Sequence, residues 1–376
     1  MIKGVLLSSF QEVARRDWDG LLRPDDAPFL DHTFLCGLEQ TGCATKDTGW
    51  IPRPAIAVTA EGHIVGAAPS WIKTHSMGEF VYDQAWAEAA HGAGYRYYPK
   101  WVVGVPFTPV AGRRLLVHPD HDPAEVHTAL LQAMTASPVD ATGIHVLFHP
   151  PEEAREEVFS GCFPRLQYQF HWHNKGYRTF DAFLEQLSRR TRKMIRRERR
   201  EVSHYQIACV DAPSPDQLDH LHRFYARTCH QFGPWGRVYL TREFFQYLGE
   251  HWAHRLHAVL ASEQGRVVAG AFNVRHPRGI YGRYWGCEGE HKFLHFEVCY
   301  YAIIDYAIRE GLQFFEPGHG GSHKYRRGFE PHLTWSSHQL FEPRLHDGLA
   351  RHTEAERAYV RDQVRQLREH TAQRRQ

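Results

Sequence analysis

Residues 60–68 read Ala-Glu-Gly-His-Ile-Val-Gly-Ala-Ala, and residues 263–271, in the other half of the chain, read Glu-Gln-Gly-Arg-Val-Val-Ala-Gly-Ala. In each segment an acidic, glycine-containing turn separates apolar runs, a pattern that predicts a β-hairpin. Small residues follow each turn, where the backbone or a ligand must come close. The two segments therefore predict two related half-domains, each headed by a hairpin.

The elements predicted after each hairpin come in the same order. Residues 122–125, Asp-Pro-Ala-Glu, have the N-cap, first-turn proline and acidic third residue of a helix, and an apolar strand is predicted over 144–148. In the second half, apolar residues at helical spacing predict a helix over about 294–309, followed by a strand over 312–315. Two unrelated hairpins are the alternative, but the shared order favours duplication.

Length and composition indicate two domains. The 376 residues, of which 42% are hydrophobic, are enough for two cores, predicted over 1–165 and 166–342 with a charged helical tail over 343–376. No segment approaches the roughly 20 apolar residues that a bilayer requires, so neither a membrane span nor a signal peptide is predicted. The seven cysteines form no Cys-x-x-Cys pair, which favours reduced thiols and a cytoplasmic location.

The net charge is only +2, but residues 189–201 contain eight Arg or Lys against two Glu. Apolar spacing predicts one continuous amphipathic helix from about 180 to 202 with this basic face toward solvent. Planar guanidinium groups suit phosphate on a nucleotide, a coenzyme or an RNA backbone. A solvated charged face without a ligand is the alternative.

Residues 281–297 form the first of two regions that combine polar, aromatic and glycine residues. An alternating strand is predicted through Tyr281, Arg283 and Trp285, and it leads into a helix with His295 and Glu297 in its first turn. The free N–H groups of a helix start can hold an anion or a developing oxyanion, while Glu297 accepts a proton from an attacking amine. An ordinary acidic partner of the helix dipole is the alternative for Glu297.

The second region is residues 316–328, Glu-Pro-Gly-His-Gly-Gly-Ser-His-Lys-Tyr-Arg-Arg-Gly. Its glycines allow close approach of a ligand to the backbone, and the neighbouring cations would attract phosphate. The P-loop spacing is absent, which disfavours nucleoside triphosphate hydrolysis. The pairs His171-x-His173 and His319-x-x-x-His323 are spaced like metal ligands, but no His-Glu-x-x-His motif occurs, and no metal site is predicted.

These regions, with several others, resemble the FemAB-like predicted N-acyltransferases of the GCN5-related acetyltransferase superfamily, whose members are labelled as peptidoglycan biosynthesis or recognition proteins. The resemblance covers nearly the whole chain. The segments that carry it are residues 49–52 (GWIP), 73–80 (KTHSMGEF), 97–100 (YYPK), 105–110 (VPFTPV), 196–200 (RRERR), 282–286 (GRYWG) and 294–301 (LHFEVCYY).

The resemblance implies an α/β (α+β) fold with tandem acetyltransferase-like domains, each a mixed sheet flanked by helices, which suits the duplicated order. It also implies an amide-forming reaction, in which an unprotonated amine attacks an activated ester or thioester. The implied catalytic residues are Tyr284, His295, Glu297 and His323. The implied donor-phosphate residues are Arg192, Lys193, Arg196, Arg197, Arg200, Arg283, Lys324 and Arg327. The implied acceptor-binding residues, placed across an interdomain cleft, are Glu79, Asp83, Lys100 and Thr108.

The donor is expected to be a co-substrate, aminoacyl-tRNA or acyl-CoA, rather than a tightly bound cofactor, and the acceptor an amine-bearing small molecule or peptide. The acyl-CoA fingerprint Arg/Gln-x-x-Gly-x-Gly/Ala is not evident, which favours aminoacyl-tRNA. Family members commonly read Gly-Ala-Gln-Gly-Glu-His-Lys where residues 318–324 read Gly-His-Gly-Gly-Ser-His-Lys. Ser322 thus replaces a carboxylate. Three alternatives follow: His319 takes the role of that carboxylate, the acceptor is different, or the activity is lost. A non-catalytic cell-wall or RNA binding module is the remaining alternative.

Overall fold

The computed structural model describes residues 2–153, 159–233 and 236–369. The strands are β1 (Lys3–Leu6), β2 (Trp50–Pro52), β3 (Ala55–Val58), β4 (Ile64–Ala68), β5 (Ser70–Lys73), β6 (Lys100–Val103), β7 (Leu116–Val117), β8 (Gly143–His149), β9 (Phe163–His173), β10 (Gln206–Asp211), β11 (Leu256–Glu263), β12 (Arg266–His276), β13 (Gly279–Cys287), β14 (Phe314–Glu316) and β15 (Glu330–Leu340).

The helices are α1 (Arg15–Asp19), α2 (His32–Gln40), α3 (Gln84–Gly92), α4 (Pro123–Thr135), α5 (Phe180–Glu185), α6 (Arg189–Glu201), α7 (Pro215–Gln231), α8 (Arg242–His251), α9 (Leu294–Phe296), α10 (Ala302–Arg309) and α11 (Pro343–Glu369). A single π-helical turn, Glu297–Tyr301, joins α9 to α10. None of the helices in these described ranges is long and apolar enough to cross a membrane.

The chain divides into two compact units. Unit 1 comprises Met1–Gln167 and Leu333–Asp362, and unit 2 comprises Tyr168–His332 and Gln363–Gln376. Residues 333–342, predicted in the second domain, instead belong to unit 1, because β15 pairs antiparallel with β8 there. The charged tail predicted over 343–376 forms the helix α11, most of which belongs to unit 1, where Glu356 forms an ion pair with Arg165. Residues 370–376 of that predicted tail lie outside the described residues.

Unit 1 contains two groups of strands. One is the antiparallel sheet β1-β3-β4-β7, and the other has the order β2-β5-β6-β8-β15, in which β6 and β8 run parallel. Helix α4 packs on the first sheet through Val126 and Leu130. A side chain at Gly66 would place its Cβ 2.2 Å from Cγ1 of Val126, so the small residue after the first predicted turn is needed for this helix to lie close.

Unit 2 has one sheet with the order β10-β11-β12-β13-β14-β9, antiparallel except for the parallel pair β13 and β14. Helix α7 covers one face, where a Cβ at Gly286 would lie 2.0 Å from the carbonyl oxygen of Phe224. The core also contains Val298, Ile303 and Ile304, from the segment that runs from α9 to α10.

The predicted duplication is visible in both units. The two quoted segments form the hairpins β3–β4 and β11–β12. In each unit a helix then leads to a strand that pairs parallel with one preceding that helix, β6 with β8 and β13 with β14. Parallel neighbours require such a crossover connection. The prediction of mixed sheets flanked by helices is confirmed.

Two predicted helices differ in detail. The helix predicted from 180 to 202 is wrong as one element, because α5 ends at Glu185 and α6 begins at Arg189, with the side chain of Ser188 accepting from the N–H of Thr191. Between them Leu187 is fully buried. The helix over 294–309 has the predicted ends, but the π-helical turn inserts an extra residue into its second turn.

Candidate functional site

The candidate site lies in unit 2, around the π-helical turn. Three elements bring their side chains together there: Trp285 from β13, His295, Phe296 and Tyr300 from the helix, and His323 from the glycine-containing loop. The ring centroids of Trp285 and His295 are 4.6 Å apart, and those of His295 and His323 are 5.7 Å apart. Nε2 of His323 is 2.8 Å from the hydroxyl oxygen of Tyr300. We call these five residues the histidine–aromatic cluster.

The π-helical turn explains why two adjacent tyrosines contact different parts of unit 2. Tyr300 contacts His323, whereas the adjacent Tyr301 hydrogen-bonds to Glu198 of α6. An extra residue in one turn rotates the side chains that follow it relative to those before it, and such turns occur frequently at functional sites. Upstream, Phe293 precedes the helix in the left-handed region, with φ of 66°.

Both histidines of the cluster are neutral at neutral pH. Burial lowers the pKa of His295 to about 3, and the neighbouring His323 and the positive charges of Lys324 and Arg327 add to the effect. Burial lowers the pKa of His323 as well, and Arg327 and Lys324 add to the effect. Burial raises the pKa of Tyr300, so its hydroxyl keeps its proton. In the tautomer whose Nε2–H donates to the hydroxyl oxygen of Tyr300, Nδ1 of His323 carries a lone pair that can accept a proton.

Lys324 shapes the glycine-containing loop. Its ammonium group donates to the carbonyl oxygens of Gly318 at 2.7 Å and His319 at 3.3 Å. Burial lowers the pKa of Lys324 to about 8. The predicted donor-phosphate residue is therefore a buried cation already engaged with its own loop.

Arg327 is held in the interior by Glu198. Its Nη2 donates to Oε1 of Glu198 at 2.7 Å, its Nε donates to the hydroxyl of Tyr301 at 2.8 Å, and its Nη1 donates to the carbonyl oxygen of His323 at 3.0 Å. The guanidinium carbon also lies 3.4 Å from the ring centroid of Phe296. Arg327, predicted to bind donor phosphate, therefore fixes the loop and the helix to α6.

Glu297, the predicted base, is also paired. Arg199 of α6 donates from Nη2 and Nε to its two carboxylate oxygens at 3.0 and 3.1 Å. Burial raises the pKa of Glu297, and the Arg199 charge opposes that rise. The bidentate geometry orients the carboxylate toward α6.

The outer face of α6 remains basic. Arg196 pairs with Asp181 at 3.3 Å and Arg197 with Glu201 at 2.8 Å, both exposed. Arg192 donates to the carbonyl oxygen of Leu187 at 2.7 Å. Within the described ranges no ion pair to a carboxylate involves the four exposed cations Arg189, Arg190, Lys193 and Arg200. These four are positioned to meet an anionic ligand.

Two predicted residues of β13 are separated by strand alternation. The ring of Tyr284 lies against that of Tyr225 of α7, with centroids 4.6 Å apart, whereas Trp285 contacts His295 on the opposite face of the sheet. The structure therefore does not bring Tyr284 together with His295, and its catalytic role stays a prediction. The guanidinium of Arg283 lies 5.5 Å from the centroid of the Tyr284 ring. Burial raises the pKa of Glu316, and the positive charge of Arg283 opposes that rise.

In unit 1 the structure brings together three of the four predicted acceptor-binding residues. Lys100 donates to Oε2 of Glu79 at 2.9 Å and to Asp83, and all three side chains are fully buried. Tyr97 donates to the same Asp83 oxygen at 2.7 Å. Thr108 instead donates to the carbonyl oxygen of Pro106 at 2.9 Å. Their role in acceptor binding stays a prediction.

Sequence reasoning missed Tyr300 as the partner of His323, and Glu198 as the partner of Arg327. Both lie in segments that the sequence analysis singled out, the helix over 294–309 and the basic run over 189–201, but neither residue was assigned a partner there. For Glu198 a sequence signal exists, because a helix crowded with cations retains a glutamate at this position. The structure shows that this glutamate is buried, where a charged residue needs a partner.

Comparisons with known proteins identify relatives. The model of the FemAB-like family, described as peptidoglycan biosynthesis/recognition, matches residues 9–375. A crystal structure of FemX is 12% identical over 93% of this chain and 100% of its own, with a TM-score of 0.54, and shares the fold. No curated protein matches the sequence.

Two further solved structures show weaker likeness. A tandem GNAT protein from the clavulanic acid biosynthesis pathway is 12% identical over 90% of this chain and 98% of its own, with a TM-score of 0.47. The C-terminal domain of a putative lysylphosphatidylglycerol synthetase from Agrobacterium fabrum is 12% identical over 92% and 97%, with a TM-score of 0.49.

Proposed function

The chain belongs to the FemAB-like family, and on that premise we propose that it is an N-acyltransferase that forms an amide by transferring an aminoacyl group from aminoacyl-tRNA to an amine. The observation that carries the chemistry is the hydrogen bond between Tyr300 and a neutral His323, beside the cation of Lys324. The family description and the shared fold with FemX support acyl transfer related to peptidoglycan.

His323 is the proposed proton acceptor. Attack by an amine on an ester produces a positively charged nitrogen, which must lose a proton before the amide is stable. A neutral imidazole accepts this proton as the C–N bond forms, and the resulting imidazolium then donates a proton to the ribose oxygen of the tRNA that leaves when the ester C–O bond breaks. His323 is half-buried, whereas His295 has a pKa of about 3 and is too weak a base for this role.

Tyr300 and Lys324 support that step. The hydroxyl of Tyr300 fixes the orientation of the His323 ring, since the two atoms lie 2.8 Å apart. Lys324 places a positive charge near the ring, where negative charge develops on the acyl oxygen during attack. Trp285 and Phe296 supply apolar walls that exclude water from the ester.

The basic face of α6 is the proposed contact for the donor. Arg189, Arg190, Lys193 and Arg200 form a row of exposed cations that suits an RNA backbone. Helix α6 is tied to the segment of the cluster twice, through Arg199 with Glu297 and through Glu198 with Arg327. A polyanion that binds α6 would therefore be held next to the catalytic residues. Acyl-CoA is the alternative donor, and no tightly bound cofactor is invoked.

The test is a screen of the purified chain with charged tRNAs and with acyl-CoAs, each with amine-bearing peptides of peptidoglycan type, read by mass spectrometry. We expect a mass increase of the acceptor by one aminoacyl residue with charged tRNA, lost with His323→Asn. The control is His63→Asn, which changes an exposed histidine of unit 1. Transfer from acyl-CoA alone would replace the donor, and no transfer from either donor would reject the proposal.

A further inference from the structure

Three histidines outside the candidate site lie close together in unit 2. His171 and His173 are two positions apart on β9 and therefore point to the same face, and His332 lies on β15, the neighbouring strand in the sheet. One nitrogen from each ring can be chosen so that all lie within 4.8 Å of one another. We propose that His171, His173 and His332 bind a divalent transition metal ion of the Zn²⁺ class.

The donor set fits such an ion. Three neutral imidazoles are a recurrent ligand set of zinc sites that keep a further coordination position for water or substrate. Nitrogen donors without thiolate favour Zn²⁺, Cu²⁺ or Ni²⁺ over Mg²⁺ or Ca²⁺.

The geometry requires only side-chain motion. The rings of His171 and His332 are nearly parallel, with centroids 4.6 Å apart, and His173 lies 6.4 Å from each. Nitrogens that share a tetrahedral Zn²⁺ are roughly 3.4 Å apart, given Zn–N distances of about 2.1 Å. His173 and His332 are exposed and can turn toward the buried His171.

Glu316 provides a second, independent observation. Nε2 of His171 and Oε2 of Glu316 are 3.8 Å apart, and both atoms are buried without a hydrogen-bond partner in the described part of the chain. A metal ion on His171 would draw this carboxyl into the hydrogen bond that orients ligand histidines, which makes Glu316 a positioning residue.

The proposal differs from the sequence-based prediction of no metal site, which stays untested. The His171-x-His173 pair was recognised, but the third ligand is distant in the chain and is supplied by a strand that only the folded sheet places beside β9. The proposed metal site uses none of the residues assigned to acyl transfer. Its test measures metal binding and not turnover, so either proposal can fail without the other.

The experiment titrates the full chain, first dialysed against a chelator, with Zn²⁺ by calorimetry and with Co²⁺ by visible absorption. We expect one high-affinity Zn²⁺ per chain and the Co²⁺ absorption bands of a site with nitrogen ligands. His173→Ala and His332→Ala, both at exposed positions that leave the core intact, should each weaken Zn²⁺ binding at least tenfold. Glu316→Gln should weaken it about tenfold.

The matched control is the double variant His118→Ala, His121→Ala, which removes two histidines whose rings are 5.8 Å apart in unit 1. It should leave the high-affinity Zn²⁺ site unchanged. Equal loss of affinity in this control and in His332→Ala, or the absence of any site tighter than general histidine binding, would overturn the proposal.

Discussion

Arg199 of α6 holds both carboxylate oxygens of Glu297, at 3.0 and 3.1 Å, and so fastens the basic helix to the π-helical turn. Glu297 thus has a structural partner at the position where the sequence predicted a base. An acid engaged in a bidentate ion pair is a poor proton acceptor, because protonation would break the pair.

Glu297→Gln should therefore affect stability more than turnover. We expect the free energy of unfolding to fall by about 1–3 kcal/mol, because Arg199 loses its charged partner, and kcat to fall less than tenfold. Arg199→Met should have a similar cost, and the two changes together should cost less than their sum. Urea unfolding and turnover assays measure both effects. A loss of kcat above a hundredfold with unchanged stability would restore Glu297 as the base.

His323→Asn should lower kcat by about 10²–10⁴-fold if His323 accepts the proton. His323 must be unprotonated to accept a proton, and its pKa is lowered by burial. The wild-type kcat/KM should therefore fall on the acid side with a midpoint below pH 6.5, the ordinary value for histidine. Tyr300→Phe should keep the packing and give a smaller loss. A pH profile that retains its acid limb in His323→Asn would exclude this assignment.

Glu198 and Arg327 should be the most costly pair to break. Either Glu198→Gln or Arg327→Met leaves a buried group without its charged partner, which destabilises by about 3–5 kcal/mol. The double variant Glu198→Met, Arg327→Met should recover part of that loss. Arg197→Met serves as the control, because its pair with Glu201 is exposed to solvent and should contribute little to stability. Denaturant unfolding gives all of these values, and equal costs for the two pairs would contradict the prediction.

The buried cluster of Lys100, Glu79 and Asp83 has one cation and two carboxyls, so one carboxyl takes up a proton. Burial raises the pKa of Glu79 to about 7, whereas the pKa of Asp83 is lowered by Lys100 against the opposing effect of burial. At pH 7 we expect Lys100→Met to destabilise most, Asp83→Asn less and Glu79→Gln by no more than about 1 kcal/mol. A cost for Glu79→Gln equal to that of Asp83→Asn would contradict this order.

The same cluster predicts a dependence of stability on pH. A carboxyl whose pKa is raised on folding binds more protons in the folded than in the unfolded chain, so stability falls as pH rises. For Glu79 the window extends from its ordinary 4.5 to about 7. Glu79→Gln should remove this part of the decrease, which unfolding curves at several pH values would show. A decrease of the same size in the variant would argue against Glu79 as its source.

Binding of tRNA through α6 should depend steeply on salt. Reversal of Arg189, Lys193 and Arg200 to glutamate should weaken tRNA binding strongly. It should also lower the slope of log affinity against log salt by about 2–3, because each phosphate contact contributes about 0.7–0.9. Filter binding across a salt series measures this slope.

The matched control for that series reverses three exposed arginines of α11, Arg344, Arg351 and Arg361, and so changes the net charge by the same amount. An equal loss in the α11 variant would show that overall charge, rather than the face of α6, attracts the RNA.

The sequence by itself determined the repeated architecture and the main elements. Hairpins, the capped start of α4 and the ends of the 294–309 helix follow from turn residues, capping residues and apolar spacing, which act over a few neighbouring positions. The basic face of α6 can likewise be predicted from a short run of neighbouring residues. His295 and His323 were expected near one another from the segments that resemble one family, and the structure brings their rings together, while their catalytic role stays a prediction.

Tertiary structure decided which of these side chains remain available. Arg327, Lys324 and Glu297 carry the charges that a donor site needs, but each is buried, and its partner comes from another element or from its own folded loop. The sequence analysis grouped Tyr284 with His295, because only the packing of α7 shows which face of β13 Tyr284 occupies. Burial makes an unpaired charge expensive, so the fold assigns partners across the chain that no local pattern can specify.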